Sequence, residues 1–151
     1  MKPLRQMSRR FSFLLLFVIA MFHPGYSQSI PEFDRESFVR TFVERFNRQE
    51  TDQMLEMIDD DFQWVSITDG KAAVHLEGKP ALKREMEQYF TKCASCRSKL
   101  LWVQSTGSRI TALEEASWTT KDGSKSQRSL SVYEFKDQRI ARVYYFSVEP
   151  K

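Results

Sequence analysis

The strongest constraint on this chain lies toward its C-terminus. Arg109–Val148 carries three strand-like runs in succession, Ile110–Thr120, Ser126–Phe135 and Arg139–Val148. The polar turns Asp122-Gly123-Ser124 and Lys136-Asp137-Gln138 separate them, and a further run, Ser98–Ser105, precedes them across Thr106-Gly107-Ser108. Long consecutive strands joined by such turns fold as an antiparallel meander. A sheet of this kind must bury one face, so the residues before it have to supply the cover. In the first run the two-residue strand period sets Ile110, Ala112, Glu114, Ala116 and Trp118 on one face, which puts a carboxylate in line with apolar side chains.

The earlier residues have the pattern of that cover. Asp34 is placed to cap a helix in which Phe38, Val39, Phe42, Val43 and Phe46 form an apolar stripe. Thr51 or Asp52 caps a second, shorter helix with Met54, Leu55 and Ile58 on one side, and Asp59-Asp60-Asp61 ends it. Phe62–Thr68 alternates, and Asp69-Gly70 returns it into Ala72–Leu76 as a short hairpin. Gly78-Lys79-Pro80 opens a third helix, proline being suited to a first helical position; Leu82, Met86, Tyr89 and Phe90 make its apolar stripe as far as about Lys92. The expected fold class is therefore α+β: a cone-shaped, curved antiparallel sheet wrapped around three N-terminal helices, enclosing a cavity.

At 151 residues and 41% hydrophobic content there is room for one domain with a substantial core. The first residues stand apart from it. Lys2, Arg5, Arg9 and Arg10 precede an apolar run, Phe11–Phe22, and small residues, Gly25 and Ser27, stand three and one before a cut after Ser27. This is the order of a secretory signal peptide, and the run falls short of the roughly 20 residues that span a bilayer. The expected organisation is a leader at 1–27, a mature arm at 28–33 and the domain at 34–148. The protein is expected to be exported, periplasmic or secreted, with no membrane association after cleavage. Losing the four leader basics from 23 leaves 19 Lys+Arg against 20 Asp+Glu, a net charge of −1. Without a basic excess there is no electrostatic footprint for nucleic acid.

The order and spacing of these segments resemble the nuclear transport factor 2-like superfamily, particularly its SnoaL-like branch. The resemblance is carried by the Phe-rich first helix, Asp60-Asp61-Phe62-Gln63-Trp64, Gly78-Lys79-Pro80-Ala81-Leu82, Trp118, Val132-Tyr133-Glu134-Phe135 and Arg139-Ile140. It covers about Asp34–Val148 and specifies fold far better than function, because the superfamily holds isomerases, cyclases, dehydratases, epoxide hydrolases and adaptors. The tyrosine and two acids of its steroid isomerases fall here on Phe42, Ser66 and Ser131, so that chemistry is disfavoured. A two-histidine dehydratase arrangement cannot be built from the one histidine left after the leader, His75, and no counterpart of the epoxide hydrolases' Asp-Arg-Asp set is evident. The resemblance also implies a homodimer through the outward sheet face, where Leu113 is the clearest apolar residue.

Glu114 is then the candidate for chemistry. Beside Ala116 and Trp118, an unpaired carboxylate favours keeping its proton and suits general acid or base work. A bulge in the strand would instead turn Glu115 inward, or a cross-strand Arg or Lys would pair with Glu114. His75, at the hairpin's end, is placed to reach the cavity mouth and transfer a proton; a lone hairpin histidine also serves as a surface or hydrogen-bonding residue. Phe42, Trp64, Ser66, Met86, Phe90, Trp118, Ser131, Tyr133 and Tyr145 fall on interior faces, with Ser147 beyond them. They would line a pocket for an apolar or aromatic molecule, though a filled core would hold the same residues. Cys93 and Cys96 sit at the wrong end of a helix for a redox site and are a small structural disulfide or two free thiols. The aspartates at 59–61 lack the alternating ligands of a calcium loop, and no metal or other cofactor is implied.

Three readings follow from the sequence. The first is an exported, cofactor-free domain that binds a small apolar or aromatic molecule. The second is a cofactor-free isomerase, cyclase or hydrolase in which Glu114 moves the proton. The third is a structural dimerisation module.

Overall fold

The computed structural model describes residues 33–146. The leader, all of the arm but Phe33, and the last two residues of the expected final strand, Ser147 and Val148, lie outside the described residues. In chain order the elements are α1 (Arg35–Asn47), α2 (Thr51–Glu56), β1 (Ile58–Thr68), β2 (Lys71–Glu77), α3 (Lys79–Lys92), β3 (Arg97–Thr106), β4 (Arg109–Thr120), β5 (Gly123–Lys136) and β6 (Arg139–Phe146). The six strands form one sheet in the order β2-β1-β6-β5-β4-β3. α1 packs on β3 and β4, and α3 on β1 and β2, so the helices cover one face of the sheet. Among the described residues no helix is long and apolar enough to cross a membrane.

The four long strands pair as the expected meander, but the sheet is mixed. β1 runs parallel to β6, with Trp64 opposite Val143 and Ser66 opposite Tyr145. A hairpin alone would leave β1 and β2 detached; the parallel seam joins them to the meander and makes β2 and β3 the two edges. The aspartates at 59–61 are not the end of a helix. α2 stops at Glu56, where the Met57 N–H still reaches the Met54 carbonyl, and Ile58 already pairs with Ile140 of β6. Ile58 and Phe62 are both buried, and tying down these two apolar residues draws the acids between them into the strand. Asp60 meets Lys79 at 2.7 Å and Asp59 meets Lys136 at 3.4 Å.

Local chemistry explains most of the remaining boundaries. Asp34 caps α1, its carboxylate accepting the Ser37 N–H at 3.1 Å, and this hydrogen-bonded partner holds the Asp34 carboxyl below its usual value. α2 lacks the side-chain cap expected from Thr51 or Asp52 and starts one residue after Glu50. The hairpin turn Asp69-Gly70 has positive φ at both residues (50° and 69°), the two-residue geometry that matches strand twist and that glycine accepts without strain. Val39, Phe42, Met54, Leu82 and Met86 from the helices meet Phe62, Ile110, Tyr133, Ile140 and Val143 from the sheet in one core.

Candidate functional site

The meander fixes the direction of every side chain on β4. Its pairing with β5 runs without a register shift from Arg109 to Thr120, so the alternation holds along the whole strand. The one irregularity nearby lies in β3, between Leu100 and Trp102, and leaves the faces of β4 unchanged. Glu114 therefore points inward and is only 4% exposed. Glu115 points to the other face, where Arg128 holds it at 3.0 Å.

Glu114 is not unpaired. Ser131 Oγ and Tyr133 Oη each donate to its Oε1 at 2.5 Å, and Ser98 Oγ donates to Oε2 at 3.0 Å. Tyr145 Oη stands 3.5 Å from Tyr133 Oη. Two strands, β3 and β5, thus contribute three hydroxyl donors to a single carboxylate. Burial, and then the nearby Glu114 charge, pushes the phenols of Tyr133 and Tyr145 well above their ordinary value, so both remain hydrogen-bond donors. Ser98 is itself held from behind: Asn47 at the end of α1 accepts its N–H at 2.7 Å and donates to its carbonyl at 2.8 Å.

Glu114 opens onto a cavity of about 410 Å³. Of the residues singled out in the sequence, Phe42, Trp64, Ser66, Met86, Tyr133, Tyr145 and His75 line it. The His75 residue is exposed on the edge strand β2, its ring edge-on to Trp64 at 6.3 Å. Trp64 in turn lies against Tyr145, ring centres 5.0 Å apart and planes inclined by 31°.

Three expected wall residues are elsewhere. Phe90 is buried between helices against Phe46, at 5.2 Å. Trp118 shares the inward register of β4 but stands beyond Ala116, paired with Lys125 past the end of the cavity wall. Ser131 lies behind the wall, fully buried, and acts only through Glu114.

The wall also holds residues the sequence reading did not single out as ligand contacts. Phe46, Met54 and Tyr89, whose helix-stripe positions imply only core packing, line the cavity, and so do Ser98, Arg97, Glu85, Gln127 and Ser129. A signal for part of this set was present in β5, where Gln127, Ser129, Ser131 and Tyr133 alternate on the inward face. That row is polar where a filled core would be apolar. Arg97 is exposed, and its Nη1 donates to the carbonyls of Ala94 and Cys96. Cys93 and Cys96 are joined as a disulfide between α3 and β3. Among the described residues no group of three His, Cys, Asp or Glu is placed to hold a metal ion.

These features define a class: an α+β domain whose curved sheet and helices enclose a polar-floored, aromatic-walled cavity. Residues 39–143 match the family model of the SnoaL-like domain. The chain belongs to the SnoaL-like domain family, within the nuclear transport factor 2-like superfamily. Solved structures agree on the fold. An uncharacterised cystatin-fold protein from Novosphingobium aromaticivorans is 19% identical, covering 72% of this chain and 94% of that one with a TM-score of 0.63. Bal32a, from a soil-derived mobile gene cassette, is 20% identical over 73% of this chain and 86% of its own, with a TM-score of 0.61. A SnoaL-like polyketide cyclase from Agrobacterium tumefaciens is 17% identical over 73% and 87%, with a TM-score of 0.59. No curated protein matches the sequence.

Proposed function

We propose that this domain binds a small, largely apolar or aromatic molecule in the cone cavity, held by a hydrogen bond to Glu114 and needing no cofactor. The observation that carries the reading is the state of Glu114 within the cavity. A carboxylate offers about four acceptor positions, and three are occupied by hydroxyl donors, two on Oε1 and one on Oε2. Glu114, on the cavity wall, suits a donor on the ligand, while the aromatic wall takes the ligand's body. A volume of about 410 Å³ is in the range of small-molecule sites. Trp64 lies on the wall, so screening aromatic compounds by tryptophan fluorescence tests the reading. Binders should quench the wild type, and the Trp64→Phe variant should lose the signal while still binding by calorimetry. A screen in which every binder is unaffected by Glu114→Gln would count against it.

A catalytic reading has one observation in its favour. Tyr145 stands beside the Tyr133–Glu114 pair, so a phenol could polarise a carbonyl while Glu114 accepts a nearby proton, as an isomerase, cyclase or hydrolase would require. Glu114→Gln would then abolish turnover. His75, packed on Trp64 at the mouth, would contact the substrate there.

We further propose that the mature domain is exported and forms a two-fold dimer through the face of the sheet that points away from the helices. Register sets Trp102, Leu113 and Leu130 side by side across β3, β4 and β5. Trp102 is 47% and Leu130 39% exposed, and the ion pairs Glu115–Arg128 and Glu134–Arg109 border this apolar row. In the dimerisation-module reading this face, and not the cavity, is the working surface. Sedimentation of the mature protein and mass analysis of its N-terminus test the two proposals.

A further inference from the structure

We infer that the ligand is an organic cation, an aryl-alkyl ammonium whose nitrogen pairs with Glu114 while its ring lies among the aromatic walls. This rests on the cavity-binding reading above and names the ligand's charge.

Glu114 is buried, yet the partners that hold it are neutral: Ser98, Ser131 and Tyr133 supply hydroxyl dipoles. No ion pair recorded among the described residues includes it. Dipoles orient and partly stabilise a buried carboxylate, but a full counter-charge does so more strongly in a medium of low dielectric. Glu114 is on the cavity wall, so a counter-charge that comes with the ligand can reach it.

The walls point the same way. Phe42, Phe46, Trp64, Tyr89, Tyr133 and Tyr145 surround the space, and the electron-rich faces of such rings attract ammonium groups as well as packing against aromatic bodies. The other charged groups at the cavity do not reverse this balance. Glu85 on α3 is a second carboxylate, and His75 is exposed on β2. Arg97 is also exposed, with one guanidinium nitrogen committed to two backbone carbonyls outside the aromatic box. An anionic ligand would enter a cavity whose wall carries two carboxylates, Glu114 and Glu85. A neutral alcohol could fill the same hydrogen bond but would leave the charge unpaired.

The test uses two matched probe sets, so that one awkward ring shape does not decide it. By calorimetry at pH 7, tryptamine is compared with tryptophol and indole-3-acetate, and phenethylamine with 2-phenylethanol and phenylacetate. In at least one set the amine should bind about tenfold or more tightly than the alcohol, as a charge-assisted hydrogen bond predicts, with the acid weakest. Glu114→Gln, checked for an intact thermal transition, should erase the amine's advantage over the alcohol. Alcohols that equal or exceed the amines in both sets overturn the cation inference and leave the cavity reading standing. If no probe binds at millimolar concentration, both fall.

Discussion

Ser131→Ala and Ser98→Ala each remove one hydroxyl from Glu114, and the structure gives them different costs. Ser131 is 0% exposed and donates from behind the cavity wall, whereas Ser98 is half-buried and on the wall. A hydrogen bond to a charged group contributes about 1.5–3 kcal/mol, and the penalty for a stranded partner is greatest where water cannot replace the donor. An alanine at 131 leaves a void the size of one oxygen, too small to admit a water bonded to several partners. Ser131→Ala should therefore destabilise the domain by about 2–3 kcal/mol. At Ser98 cavity water takes over the bond to Oε2, and the loss should be about 0.5–1 kcal/mol. For a domain of this length, the difference separates the two melting temperatures by roughly 4–10 °C. Urea unfolding followed by circular dichroism measures it, with equal m-values as the check that the unfolded states compare. Equal losses, or a larger one for Ser98→Ala, would refute the premise that Glu114 has a dry side and a wet side.

The folded state holds the Tyr133 and Tyr145 protons above the unfolded value of 10.0, so their contribution is complete below that pH and lost as pH rises past it. The urea midpoint should fall above about pH 10, less steeply in Tyr145→Phe. Asn47→Ala removes both bonds that clamp the Ser98 backbone and should cost about 1–2 kcal/mol by urea titration, with weaker ligand binding by calorimetry. Trp102→Lys with Leu130→Lys should shift the protein to monomer in sedimentation while leaving ligand binding unchanged; an unaltered mass would move the proposed interface elsewhere.

Much of the fold was legible because its signals are local. The cap at Asp34, the Asp69-Gly70 turn and the strand period of Ile110–Trp118 each act within a few residues, and each element appears where its pattern stands. The parallel seam between β1 and β6 was not legible, since Ile58 and Ile140 are brought together by chain closure and not by spacing. The acids at 59–61 were misplaced for the same reason: their run reads as a helix end until Ile58 is seen to be anchored on β6. The inward direction of Glu114 was readable from alternation. Its partners were not, because Ser98 comes from another strand and is fixed by Asn47, 51 residues away in sequence.

The inward face of β5 shows why this cavity persists. Gln127, Ser129, Ser131 and Tyr133 occupy positions where an apolar row would let the cone collapse into a filled core. Buried hydroxyls without partners would be costly there, and the two deepest, Ser131 and Tyr133, are satisfied by Glu114 from the neighbouring strand. The dependence is mutual, because Glu114 without those donors would be a bare buried charge. Carboxylate and hydroxyls therefore form one unit, and a change to any member acts on stability as well as on the site. Loss of stability in a Glu114 variant consequently says little about its role. A change in which ligands it prefers separates a group that faces a ligand from one that only holds two strands together.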